Sequence, residues 1–167
     1  YSEVMKSHQR SSIGNGTIDY YLQKEYNKPK NFESFLYVNQ VLQAEGIKFG
    51  LEGHRRAAPY CMGSLYWQIN DVWPVASWSS TDYFQKWKAL QYYAKKSFAP
   101  LLVSPYREGN EIRVNIINDL LTQQKGKMQL QVLDFEGNVI RKMDSEVSIP
   151  ANSNKLIFSE NLEKILA

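Results

Sequence analysis

The chain has 167 residues, a net charge of +3, 22% charged residues and 43% apolar residues. That is ordinary globular usage, enough for one domain or two small ones. It excludes a disordered chain and a strongly basic nucleic-acid module, and no apolar run reaches the roughly 18 residues a membrane-spanning helix needs.

The single cysteine, Cys61, excludes an internal disulfide framework and a multi-cysteine metal site. Placed before an apolar run, it reads as a buried, inert thiol. Half of the aromatic residues fall between Tyr60 and Phe98, and all four tryptophans lie between Trp67 and Trp87. Such clumping suits a packed core or a platform on which flat ligands such as sugars stack.

In chain order, the segment up to Lys30 is polar and punctuated by Gly14-Asn15-Gly16. It is expected to be mostly loop, with one helical turn over 17–22. From Phe32 the period becomes helical: Phe32, Phe35, Leu36, Val38, Leu42, Gly46 and Phe49 share a face. Asn31 or Ser34 caps the start, and Arg55-Arg56 suits the end. Glu45 and Glu52 lie seven residues apart on this helix and read as surface charge. Cys61 to Asn70 is short and nearly uncharged, as expected of a strand covered on both faces. A loop over 71–78 follows. Ser79-Ser80-Thr81-Asp82 then signals a second helix carrying Phe84, Trp87, Leu90, Ala94 and Phe98.

Helix, buried strand, loop, helix is the tail of an α/β repeat. One strand cannot make a sheet, so the missing strands are expected in residues outside this sequence. The first residue is Tyr, as a piece of a longer protein would show. The second half alternates with period two, with Ile112, Val114 and Ile116 on one strand face and Met128, Leu130 and Val132 on another. Phe135 to Val139 reads as a hairpin turn in which Gly137 and Asn138 supply positive φ. Val147 and Ile149, then Leu156 to Phe158, flank a second turn cluster over 150–154. About five strands in antiparallel order indicate a sandwich, incomplete beside the seven strands usual for an immunoglobulin-like one.

Asp71 lies just past the C-terminal end of the expected strand, the edge at which α/β sheets and barrels bind ligands. Trp67, Asn70, Asp71 and Trp73 are therefore the candidate site. Trp67 reads equally as core, and Asn70 and Asp71 equally as turn formers. His8 and His54 show no metal-ligand spacing, and neither a phosphate loop nor Gly-x-Ser-x-Gly is present. Lys95-Lys96 reads as a solvated helix end. The His8-Gln9-Arg10 segment reaches the site edge if it folds over it.

Gly63-Ser64-Leu65-Tyr66-Trp67-Gln68-Ile69-Asn70-Asp71-Val72-Trp73-Pro74, with Ala76 to Ser80, Trp87-Lys88-Ala89-Leu90, Phe98-Ala99-Pro100 and Ser7 to Arg10, resembles the β-mannosidases of glycoside hydrolase family 2. The resemblance covers about residues 5 to 105, and the remainder resembles the immunoglobulin-like domain that follows the barrel. It implies a C-terminal piece of a (β/α)8 barrel over 1–105: a seventh helix at 32–56, an eighth strand at 62–70 and an eighth helix at 83–97. A partial immunoglobulin-like β-sandwich over 106–167 completes it.

The implied activity is retaining, exo-acting hydrolysis of terminal non-reducing β-D-mannose from manno-oligosaccharides. Two glutamates about 5–5.5 Å apart do that chemistry, and both are expected upstream of Tyr1, leaving this piece inactive by itself. Ser2-Glu3-Val4 has the Ser-Glu of the nucleophile motif without the Gly-Phe after it, so Glu3 is not assigned. The resemblance makes Trp67 an apolar wall of the mannose pocket, with Asn70, Asp71 and Trp73 at its rim. It implies β-mannoside oligosaccharides as partners, no nucleic acid or membrane, and neither cofactor nor metal. Imported oligosaccharides as substrate point to a periplasmic or other extracytoplasmic location. The alternatives are a β-galactosidase- or β-glucuronidase-like specificity in the same family, or a non-catalytic carbohydrate-binding module. A piece of a barrel is also expected to self-associate over its uncovered apolar surface.

Overall fold

The computed structural model describes residues 2–166. The chain divides into two units: residues up to Leu51 together with Gly63–Phe98, and Glu52–Met62 together with the residues from Ala99 onward.

The first unit is helical. Helix α1 (Glu3–Ser7) is capped by Ser2, whose hydroxyl accepts from the Met5 N–H at 3.2 Å. Helix α2 (Gly14–Glu25) runs for 12 residues where a loop with one helical turn was expected. Its glycines sit at the N-terminus, where unpaired N–H groups cost the helix least. Burial of Leu22 supplies the packing that overrides weak propensity.

Helix α3 (Phe32–Arg56) has the expected bounds. Asn31 Oδ1 accepts from the Ser34 N–H at 2.8 Å, one of the two anticipated caps. The buried face differs from the expected one. Phe32, Leu36 and Phe49 remain exposed, while Ala44 and Leu51 pack with Leu90 and Ala94 of helix α4 (Ala89–Ser97), flanked by Ile47, Tyr66, Ala89 and Tyr93.

Residues 62–70 form no strand. Their only ladder contact among the described residues is the single bridge Asn70↔Thr81. A strand is stabilised by a partner's N–H and C=O groups, and no described strand of this unit supplies them. Helix α4 starts at Ala89, later than the expected 83. Asp82 Oδ1 accepts from the Lys86 N–H at 2.8 Å and the Asp82 N–H donates to the Lys86 carbonyl at 2.9 Å. The helix-start signal is thereby used for a tight turn, in which Gln85 takes φ +63°. Cys61 is half-buried rather than buried.

The second unit is mainly antiparallel: β1 (Leu101–Glu108), β2 (Glu111–Asn118), β3 (Gln124–Leu133), β4 (Val139–Ile149), β5 (Ser153–Asn161) and a short α5 (Leu162–Leu166). One sheet has the order β1-β2-β5 and the other pairs β3 with β4. β2 is the shared central strand, running from Leu102↔Ile117 on one side to Val114↔Phe158 on the other. Its end is accordingly buried on both faces, from Val114 to Asn118. β1 was not expected from the pattern, whereas the hairpin turn expected over 135–139 joins β3 to β4. In the β3–β4 turn only Gly137 has positive φ, at +89°, and Asn138 does not share it; the turns before β2 and β5 take positive φ at Gly109, +59°, and Asn152, +46°.

Two polar clusters fasten this unit. Glu52, expected on the helix surface, is buried: Ser104 Oγ of β1 donates to its Oε2 at 2.6 Å, and Arg56 Nη1 donates to Ser104 Oγ at 2.6 Å. Fully buried Asn118 donates to the Thr122 and Pro150 carbonyls at 3.0 and 2.8 Å and accepts from the Leu120 N–H at 3.1 Å. It ties together the two connections that leave and re-enter the β3–β4 pair.

Candidate functional site

The candidate residues lie on one continuous segment of the first unit. Tyr66 turns inward, stacking on Phe98 with centroids 6.4 Å apart and bonding Ser80 Oγ through its hydroxyl at 3.1 Å. Trp67 turns outward and is 72% exposed. The Trp67–Gln68 peptide is cis. The Gln68 carbonyl then accepts from the Ser80 N–H at 2.9 Å, and the Ile69 carbonyl accepts from the Thr81 N–H at 2.8 Å. These bonds hold the segment against 80–81 and leave Asn70 at the surface.

Asp71 has the opposite environment. Its side chain is 2% exposed. Oδ1 accepts from Ser77 Oγ at 2.6 Å, and Oδ2 accepts from Ser79 Oγ at 2.5 Å and from Lys88 Nζ at 3.3 Å. Lys88 Nζ also donates to Ser79 Oγ at 2.7 Å. Burial pushes the Asp71 carboxyl up, but the bonds from Ser77 and Ser79 and then the Lys88 charge outweigh it and hold the group below its ordinary 3.8.

A carboxyl lowered in the fold stabilises it above the unfolded-chain value, and that contribution disappears as pH falls through the lower folded value. Asp71→Asn is therefore expected to be less stable than the wild type at neutral pH. The gap should narrow as pH drops below 3.8. Denaturant titrations at neutral and acid pH check this, and an equal gap at both would refute it.

Trp73 is half-buried at the tip of the loop that Asp71 begins. His8 stacks on it with ring centroids 5.7 Å apart and planes 26° apart, and the Arg10 guanidinium lies 5.2 Å over its ring. His8 Nδ1 bonds the Pro74 carbonyl at 2.6 Å, and the Ala76 N–H donates to the His8 carbonyl at 3.0 Å. The His8-Gln9-Arg10 segment thus does fold over this edge.

Trp67 and Asn70 are exposed and Trp73 is half-buried, while the Asp71 oxygens are committed internally. Ser77, Ser79 and Lys88 were not among the expected site residues. The available signal was a lysine embedded in the aromatic and apolar run Trp87 to Leu90. A cleft of about 890 Å³ opens elsewhere in the unit, among Met5, Leu22, Tyr26, Pro29, Phe32 and Phe35, and no candidate residue lines it. Among the described residues no three His, Cys, Asp or Glu side chains gather as a metal would need, and no helix is long and apolar enough to cross a membrane.

A family model described as the mannosidase Ig/CBM-like domain matches residues 110–167. The chain is 32% identical over 148 residues to a β-mannosidase of Capra hircus, covering 82% of this chain and 17% of the relative. With β-mannosidase A of Aspergillus oryzae it shares 30% identity over 172 residues, covering 93% and 19%. Among solved structures, the β-D-mannosidase of Dictyoglomus thermophilum superposes with a TM-score of 0.85 at 30% identity, covering 95% of this chain and 20% of that one. An exo-chitosanase of Amycolatopsis orientalis shares the fold, with a TM-score of 0.78 at 22% identity over 90% of this chain and 19% of that one. The chain therefore spans about a fifth of the length of the relatives it matches. Its helical half and its antiparallel half both have their counterparts there, and over most of its length the chain is similar to a C-terminal part of the β-mannosidases.

Proposed function

We propose that this chain is part of a retaining, exo-acting β-mannosidase that hydrolyses terminal non-reducing β-D-mannose from manno-oligosaccharides. In this reading residues 1–105 are the closing part of a (β/α)8 catalytic barrel and residues 106–167 belong to the immunoglobulin-like domain after it. The observation that carries the reading is the similarity to the Dictyoglomus thermophilum β-D-mannosidase over 95% of the chain.

In such an enzyme a carboxylic acid protonates the leaving oxygen. A carboxylate about 5–5.5 Å away forms the glycosyl-enzyme, which water then hydrolyses. Both groups belong to residues before Tyr1, so this chain alone is inactive. What this chain contributes is the wall of the mannose pocket. The exposed Trp67 ring stacks on the C–H face of the sugar and favours the positive charge that develops at the transition state. Asn70 and Trp73 shape the rim; Asp71 fixes the loop behind it.

The test sets the complete enzyme beside this chain on an aryl β-mannoside, with the β-galactoside and β-glucuronide as controls. An active enzyme preferring the mannoside and a silent chain are expected. Preference for either control sinks the mannose assignment, and hydrolysis by the chain alone sinks the upstream placement of the carboxylates. Light scattering on the same chain reads its association, which the exposed Leu65, Val72 and Phe49 favour.

A further inference from the structure

We infer that Lys88 is a positioning residue of this site: its ammonium, gripped by Asp71, Ser77 and Ser79, holds closed the neck of the loop that carries Trp73 and follows Trp67. The inference rests on the proposed function, since it names what orients that pocket wall.

The loop is anchored at two places. Its tip is held by His8 through the Pro74 carbonyl and the Ala76 N–H. Its neck is where Asp71, at the loop's start, meets Ser77 and Ser79, at its end. Lys88 closes that neck. Its Nζ lies 2.7 Å from Ser79 Oγ, 3.3 Å from Asp71 Oδ2 and 3.5 Å from Ser77 Oγ, and its own N–H donates to the Ser80 carbonyl at 2.9 Å. The ammonium's three protons thus have three acceptors, each on the loop neck.

The charges decide what removal does. Lys88 is the cation facing Asp71, and the other groups on that carboxylate are the neutral Ser77 and Ser79 hydroxyls. His8 and Arg10, from the N-terminal segment, meet the loop at Trp73. Without the ammonium, a buried carboxylate keeps only two hydroxyls. It then takes up a proton or opens the neck to water. Opening the neck frees Trp73 and, two residues upstream of the Ile69 carbonyl that Ser80 and Thr81 hold, Trp67. Loss of orientation of that size is costly for a rate that depends on near-ångström placement.

The experiment measures kcat and KM of the complete enzyme on an aryl β-mannoside across pH. Lys88→Met is expected to lower kcat/KM about tenfold or more at neutral pH. The ratio to wild type should recover on acidification, as Asp71 takes up the proton that replaces the missing charge. Lys88→Arg, which keeps the cation, restores most of the activity. Wild-type behaviour of Lys88→Met overturns the inference, and so does a deficit equal at every pH that Lys88→Arg shares. Should Lys88→Met not fold, Ser77→Ala carries the test, because it keeps the ion pair and removes the hydroxyl through which Asp71, Ser79 and Lys88 meet at the neck. A lowered kcat/KM at unchanged melting temperature supports the inference and an unchanged kcat/KM overturns it.

The wild-type rate on the mannoside tests the proposed function by itself. The positioning role is read as a ratio of variant to wild type on whichever aryl glycoside the enzyme cleaves, so the two failures are separable.

Discussion

Trp67→Ala in the complete enzyme is expected to lower kcat/KM for a β-mannoside by roughly ten- to a hundred-fold, the range given by about 1–3 kcal/mol of lost ring contact. The fold should be unaffected. The ring is 72% exposed, so its removal opens no cavity within its unit. The inward neighbour, Tyr66, keeps the packing through Phe98 and Ser80. In the proposed role the ring favours a charge that exists only as the glycosidic bond breaks, so the loss should fall mainly on kcat rather than KM. Steady-state kinetics with a parallel melting curve decide the matter. Unchanged kinetics in a folded variant would remove Trp67 from the pocket.

Glu52→Ala is expected to destabilise the second unit by about 3 kcal/mol, the usual cost of removing one partner of a buried ionic contact. For a unit of this size that is a fall in melting temperature of roughly 10 °C or more. The Glu52 side chain is 8% exposed and that of Arg56 14%. Their carboxylate and guanidinium are 3.9 Å apart and share Ser104 Oγ as intermediary. Alanine leaves Ser104 without its acceptor and a buried guanidinium without its countercharge. Arg56 stays in place over the Tyr106 ring, 4.2 Å from its centroid, so the charge cannot simply swing into water. Glu52→Gln retains an acceptor for Ser104 and should cost less than alanine. A denaturation midpoint for Glu52→Ala within error of wild type would show that the contact contributes nothing.

Legibility in the sequence followed the range of the interaction. Helix α3 was readable at both ends because Asn31 and the Arg55-Arg56 pair are local signals. Its buried face was not, because Ala44 and Leu51 are chosen by Leu90 and Ala94, far along the chain. Strands β2 and β3 were readable from alternation. β1 was not, because Ser104 holds a buried position for Glu52 and Pro105 breaks the pattern on an edge strand. Residues 62–70 have the composition of a strand, yet composition cannot provide the hydrogen-bond partners that make one. At the candidate site, Trp67 was marked by its place near the C-terminal end of the expected strand and by the resemblance to the β-mannosidases. The role of Asp71 was hidden because its cation is Lys88, across an intervening loop.

The side-chain bracket made by Asn118 bears on the order of folding. The β2–β5 ladder begins at Asn118↔Ser153, and everything between those two residues must be looped out before it can close. Loop closure becomes costlier with length, by about 0.6 kcal/mol for each doubling. The β3–β4 hairpin shortens that loop in advance: once it forms, only the connections over 119–123 and 150–152 remain to be arranged. Asn118 binds both, through Thr122 and Pro150. The hairpin thus acts as a kinetic splint for a non-local ladder. Gly137, at φ +89° in its turn, is where the splint is set, and Gly137→Val should slow refolding in stopped-flow experiments much more than it speeds unfolding.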